Sequence, residues 1–425
     1  MNKLNERKAS AKIQFTDKSG KPLANKKINI NLKNHEFLFG WGAFDFVTYL
    51  NPPKFESKDR GFVQEKLPTE EEMKTYFGDR VKKWLEVFNY GTLPFYWGNF
   101  EPEEGKPHTK ELMDAAKYMQ ERGVKAKGHP LCWHTVCAEW LLKYDNKTIL
   151  QKQIERIHRE VGGFRGTIDM WDAINEVVIM PNFDRYDNAI TRICRAMNRF
   201  ELVKTVFEAA KEVNPDCTLL INDFNTSPAY EILIEGLLDK GVPIDAIGIQ
   251  SHQHQGFWGR EKIEEVLSRF EKFGLPIHFT ENTLVSGPLI PPEIVDLNDW
   301  HYDDGCSTPE FEERQKNEIE EMYRILFEEH PQVKAITGWD FTDGMWLNAP
   351  SGLLHKDGTI KPAYTMLKNL IKNEWSTNIT VQTDANGFAN IEGFKGEYEA
   401  TVEGSGEKGK FNLTDKVKDT DVKCE

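Results

Sequence analysis

The chain has 425 residues, 39% of them apolar and 12% aromatic, enough to bury a substantial core in one large domain or two to three smaller ones. Acidic residues outnumber basic ones, 68 to 54, for a formal charge of −14. That balance argues against nucleic acid and an anionic membrane as partners, since both need a net basic face, and it suits a neutral substrate.

The first residues, "MNKLNERKASAKIQF", lack the apolar centre of a signal peptide, as expected of a cytoplasmic start or of a secreted protein without its leader. No apolar run approaches the roughly 18–20 residues of a membrane span. "AKIQFTD" and "KKININLK" alternate apolar and polar residues around "KSGKP", which predicts two strands joined by a turn. From about residue 37 to 375, short apolar runs alternate with amphipathic segments. The runs are 37–44, 86–97, 124–134, 167–177, 217–225, 244–252, 276–282 and 333–341, with helices expected between them, for example over 109–123 and 199–213. Eight such alternations predict a (β/α)₈ barrel rather than an open doubly wound sheet. No Gly-rich dinucleotide fingerprint follows the first strand, and "VGGFRG" and "GSGEKG" read as turns. In the last fifty residues "NITVQTD", "GFANIEGF" and "GEYEATVEG" again alternate between Asn-Gly and Gly-rich turns. Residues 1–36 and 376–425 are each too small for a core of their own, so they are expected to pair into a small β-sandwich beside the 37–375 barrel. The six cysteines are thinly spread, without a C-x-x-C pair, and read as free thiols; Cys132, His134 and Cys137 match no zinc spacing.

Nearly every predicted barrel strand ends in polar or aromatic residues. The third ends in Trp133-His134, the fourth in Asn175-Glu176, the fifth in Asn222-Asp223, and the sixth in Gln250-Ser251-His252. The seventh ends in Glu281-Asn282 and the eighth in Trp339-Asp340, with Asp343 close behind. The C-terminal ends of barrel strands form the ligand-binding rim. Asn222 and Asp223 read best as helix caps, whereas Glu176 and Glu281, ending apolar strands on opposite sides of the ring, can approach across the mouth. Two facing carboxyl groups are what glycoside hydrolysis requires, one as proton donor and one as nucleophile or base. Trp133, Trp140, Trp258, Trp300, Trp339 and Trp346 lie in or soon after the strands, where indole faces can stack on sugars; Trp171, early in its strand, reads as core.

The ordered motifs "GHPLCWH", "WDAINEV", "INDFN", "IGIQSHQH", "FTEN" and "GWDFTDGMWL" resemble glycoside hydrolase family 10, the xylanase family. The resemblance spans about 37–375 and implies a retaining endo-1,4-β-xylanase-like enzyme acting on xylan, xylo-oligosaccharides or a related plant polysaccharide, with no metal or organic cofactor. Carried over by position, it implies that Glu176 is the general acid/base and Glu281 the nucleophile. Asn175 is then expected on the sugar 2-hydroxyl and His134 on another hydroxyl, with Gln250 and His252 positioning the carboxylates and Trp339 and Trp346 walling the sugar sites. Three departures stand out. The family's E-N-x-x-K-W after strand two is replaced by Thr92-Leu93-Pro94-Phe95-Tyr96-Trp97, so a more apolar surface with Tyr96 and Trp97 takes the place of an Asn/Lys grip. W-H-S-Q-x-P-x-W becomes Trp133-His134-Thr135-Val136-Cys137-Ala138-Glu139-Trp140. E-L-D becomes Glu281-Asn282-Thr283, which removes the acidic partner expected for His252. The long Pro-rich segment 283–306 is expected to act as a lid that reshapes the sugar sites.

Two other readings compete. His252-Gln253-His254, with His129 and His134, suggests a metal-dependent amidohydrolase barrel, but that architecture expects its H-x-H on the first strand rather than the sixth. The altered strand-two segment also allows a carbohydrate-binding protein with little catalysis.

Overall fold

The computed structural model describes residues 3–52, 69–416 and 419–425. Eight parallel strands close into a barrel in chain order: Leu38–Gly42, Tyr90–Pro94, Lys125–His129, Met170–Asn175, Thr218–Asp223, Ala246–Ile249, Ile277–Asn282 and Val333–Gly338. They are called barrel strands one to eight below. The strands are shorter than the apolar runs that predict them. The second stops at Pro94 because residues Trp97–Phe100 turn into a short helix, and the third stops before Pro130, which has no N–H to offer a ladder. The helices expected between them form over Thr109–Gln120 and Arg199–Val213. Each turns an apolar face inward: Leu112, Ala115, Ala116 and Met119 on the first, Leu202, Val206, Phe207 and Ala210 on the second. Trp171 is core, fully buried with Phe95 and Phe164 against it and its ring over Gly128, where a Cβ would collide with the indole.

The N- and C-terminal segments together build two antiparallel-rich sheets around a separate core. The strand Lys8–Thr16 lies between Phe388–Phe394 and Asp419–Lys423, and Lys27–His35 lies between Asn378–Gln382 and Gly396–Val402, with Lys408–Leu413 at the edge. Ile13, Phe15, Ile28, Ile30, Ile391 and Tyr398 fill the space between the sheets. This corrects one expectation: the first two strands do not pair with each other. The chain from Asp17 to Lys26 crosses from one sheet to the other, so each strand finds partners near the C-terminus instead.

The sandwich is fastened to the N-terminal end of the barrel. Arg7 inserts its guanidinium among the carbonyls that precede strand eight, donating to Phe327 at 2.8 Å, His330 at 2.9 Å and Val333 at 2.9 Å. Asn89, just ahead of strand two, donates to His35 and Phe37. Asn34 donates to Gly123, just ahead of strand three. All three attachments meet segments leading into strands, which leaves the opposite rim to the strand ends. Among the described residues no helix is long and apolar enough to cross a membrane.

Candidate active site

At the rim, Glu176 is the first residue past strand four. It takes a left-handed backbone conformation, φ +57°, that few non-glycine residues adopt. Its N–H donates to the Asn222 carbonyl on the neighbouring strand and its carbonyl accepts from Met180, so both sides hold the turn. The turn aims the carboxyl into the mouth. Oε2 accepts from the indole N–H of Trp133 at 2.8 Å, and Oε1 accepts from Gln250 at 3.2 Å and Asn175 at 3.3 Å. His134 lies 4.0 Å from the same carboxyl.

Glu281 sits within strand seven and is 4% exposed. Its Oε1 accepts from Asn222 at 2.7 Å and its Oε2 faces His252 Nε2 at 3.0 Å. Asn222 also donates to Asn175 Oδ1 at 2.7 Å, and Gln250 donates to that oxygen at 3.0 Å. One chain of amides therefore links the two carboxyl groups. Asn222 is fixed in turn by Thr280, whose hydroxyl donates to its Oδ1 at 2.6 Å. It enters the barrel over Gly248, where any Cβ would strike its amide. Asn222, read as a helix cap from sequence, is thus the hinge of the site. Its neighbour Asp223 faces the other way and accepts from the N–H groups of Val178 and Asn225, so it ties the turn after strand four to the loop after strand five, while Ser227 caps the helix that follows. Alternation along the strand is the signal that separates them.

The two carboxyls are driven apart electrostatically. Burial, reinforced by the Glu281 and Asp223 charges, pushes Glu176 up to about 8 against the hydrogen bonds from Trp133 and Gln250. Burial would also raise Glu281, but the His129 and His252 imidazoles outweigh it and hold that carboxyl below the ordinary range. His129 is 3.9 Å from Glu281 and is aligned by Asp172 at 2.7 Å, which also meets the fully buried Lys127 at 2.6 Å. The motifs do not point to Lys127 and Asp172 in this role; a lysine and an aspartate inside otherwise apolar strands are their signal in the sequence. The acidic partner missing for His252 is replaced by Thr283, whose hydroxyl lies 2.8 Å from Nδ1. Both ring nitrogens of His252 are therefore engaged. Among the described residues no group of three His, Cys, Asp or Glu side chains could hold a metal ion.

The aromatic residues divide. Trp339 packs at 5.1 Å from His129 and 6.1 Å from His252, and Trp346 packs at 4.7 Å from His252 and 5.1 Å from His254. Tyr96 lies 5.6 Å from both His129 and Trp133, beside the carboxyl groups. Trp97 differs from its expected sugar-facing position. It is 5% exposed, donates its N–H to Glu101 at 3.1 Å, meets Trp140 edge-on and carries the Arg156 guanidinium on its face. The helical turn that starts at Trp97 rotates it under the rim. Trp133, expected among the sugar-stacking indoles, is the direct hydrogen-bond donor to Glu176.

The description "Glycosyl hydrolase family 10" belongs to the family model that matches residues 95–370. The chain is 26% identical to a protein named anti-sigma-I factor RsgI6 of Acetivibrio thermocellus, over 97% of this chain and 47% of that protein. It is 26% identical to an endo-1,4-beta-xylanase/feruloyl esterase of Xylanibacter ruminicola, over 64% of this chain and 40% of that one. It is 27% identical to a beta-1,4-xylanase of Dictyoglomus thermophilum, over 68% and 86%. The chain thus spans about half or less of the length of the first two relatives. In fold it is similar to native xylanase 10B of Thermotoga maritima, with a TM-score of 0.61 and 22% identity over 80% of this chain and 96% of that one. With a match that covers well over half of its residues, the chain belongs to glycosyl hydrolase family 10.

Proposed function

We propose that the protein is a retaining β-glycoside hydrolase that cleaves β-1,4-linked xylan, xylo-oligosaccharides or a related plant polysaccharide by double displacement. The observation that carries this reading is a pair of carboxyl groups at one mouth, linked through Asn222 and Asn175, in surroundings that displace Glu176 upward and Glu281 downward. Such a pair holds one proton donor and one anion at the same pH. Glu176 delivers its proton to the leaving oxygen while Glu281 attacks the anomeric carbon; the C–O bond breaks and a glycosyl ester forms on Glu281. Glu176, now ionised, takes a proton from water as its oxygen attacks the anomeric carbon; the bond from that carbon to the Glu281 oxygen breaks, and Glu281 leaves as a carboxylate. Asn175, His134 and Tyr96 lie where sugar hydroxyls must be held, and Trp339 and Trp346 supply flat apolar walls. Gln250 and His252 orient the carboxyl groups.

The test is turnover of aryl β-xylosides. Glu281→Ala is expected to abolish it. Glu176→Ala is expected to slow substrates with poor leaving groups by about 10²–10⁴-fold, the range of a general acid, while sparing the first step on activated ones. Equal losses on both substrate types would remove the acid/base role from Glu176. A second reading, a sugar-binding protein with little catalysis, is favoured by the segment Thr92–Trp97, where the Asn/Lys grip on the sugar is missing. Binding of xylo-oligosaccharide without turnover of any aryl glycoside is the outcome that selects it.

A further inference from the structure

Strands four and eight face each other across the eight-stranded ring, and strand seven adjoins strand eight. The segment that follows strand seven touches both far sides. On one side it is welded to the strand-eight loop. Ser286 donates from its backbone to Pro350 at 2.8 Å, Tyr302 to Leu347 at 3.0 Å, and the Trp346 indole to Asn298 at 3.1 Å. Val285, Ile290, Tyr302 and Ala349 are buried together in a small core shared by the two loops. The segment also leans over the strand-six loop, where Gln255 donates to the carbonyls of Pro291 and Ile294. On the other side its tip reaches the strand-four loop: Arg185 pairs with Asp296 and, at 2.9 Å, with Asp299. Phe183, two residues before Arg185, lies 4.5 Å ring-to-ring from His134 at the carboxyl cluster.

A loop anchored at strand eight and clasped at strand four has to cross the rim on the side of strands five and six. We propose that this strap bounds the sugar cleft on that side, so that the site takes chain ends and short oligosaccharides instead of the middle of a polymer. Arg185, with Asp296 and Asp299, is then a specificity-determining clasp. The inference rests on the hydrolase reading for its substrate class. A polymer cut internally must lie in a groove open at both ends, with sugars extending past both carboxyl groups. Here a segment with its own apolar core runs from the strand-eight loop past the strand-six loop to the strand-four loop. The last link of that crossing is an exposed ion pair, the weakest of its ties, so it is also the link a single substitution can open.

The experiment compares viscosity loss with reducing-end release on soluble xylan, using the full chain. Wild type is expected to release reducing ends with little loss of viscosity. Arg185→Ala is expected to raise the ratio of viscosity loss to ends released by about threefold, the scale of an exposed ion pair, with Arg185→Lys in between. A wild-type protein that thins the polymer as steeply as it releases ends overturns the proposal, as does a ratio unmoved in Arg185→Ala. A chain that hydrolyses nothing fails the catalytic reading instead, and the strap is then judged by binding alone. Glu281→Gln protein titrated with xylan in the ultracentrifuge is expected to load each polymer chain with no more copies than its ends allow, while binding xylohexaose one to one. Loading along the length of the polymer, or binding to neither ligand, overturns it.

Discussion

Glu176 and Glu281 carry the same functional group and differ because of what surrounds them. Glu176 faces an indole, two amides and a second carboxylate, so burial dominates and its proton is retained up to about pH 8. Glu281 has two imidazoles beside it and keeps its charge. In the proposed double displacement, turnover needs the acid form of the first and the base form of the second. kcat/KM is therefore expected to be bell-shaped, falling on the acid side as Glu281 takes up a proton and on the alkaline side, near pH 8, as Glu176 loses one. The residual activity of Glu176→Ala on an activated aryl glycoside is expected to lack the alkaline limb; a limb that survives in that variant belongs to another group. Both glutamates are legible in the sequence because each closes an apolar strand. Asn222 is not, since an Asn-Asp pair at a strand end has the same appearance whether it caps a helix or enters a barrel. Only the packing over Gly248, far along the chain, decides which of the two turns inward.

Among the elements, barrel strands were the easiest to foresee and their ends the hardest. Apolar runs mark a strand buried on both faces, but they continue into rim turns that are equally apolar, as at Phe95-Tyr96-Trp97. The pairing of the terminal strands was also hidden. Alternation shows that a strand has one buried face, and nothing local says that the partner of Lys8–Thr16 lies near residue 390 rather than residue 30. The N-terminal element adds a hook of its own. Arg7 is 7% exposed, lies 4.8 Å from the Phe37 ring centre and satisfies carbonyls from the Ile325–Glu329 turn to strand eight. Arg7→Ala leaves those acceptors buried without donors and is expected to cost about 2–4 kcal/mol in denaturant unfolding, with kcat/KM of the folded protein unchanged. A loss under about 0.5 kcal/mol would show that the sandwich is held by its apolar contacts alone.

Across the whole molecule, the rim imposes a pH dependence on stability. Asp223 and Asp340 are buried carboxyls raised to about 7, and Glu176 is raised to about 8, in each case chiefly by burial. Each binds its proton more tightly in the folded state, so the stability it contributes is present below about pH 4 and declines as pH rises toward 7–8. Asp340→Asn keeps an oxygen for the Ser351 hydroxyl and removes the ionisation. It is expected to match wild type in thermal unfolding at pH 4 and to exceed it at pH 8 by on the order of 2 kcal/mol. A difference that does not grow with pH would place its origin in packing. The sandwich lies at the other pole of the barrel, and both described ends of the chain belong to it or to its junction: Lys3 donates to Glu328 beside strand eight, and Glu425 pairs with Lys408 at the sheet edge. A bead, a dye or a second protein coupled to an exposed side chain of the sandwich is thereby held at the pole opposite the carboxyl groups. An immobilised form can then present its mouth to the surrounding solution as freely as the untethered protein does.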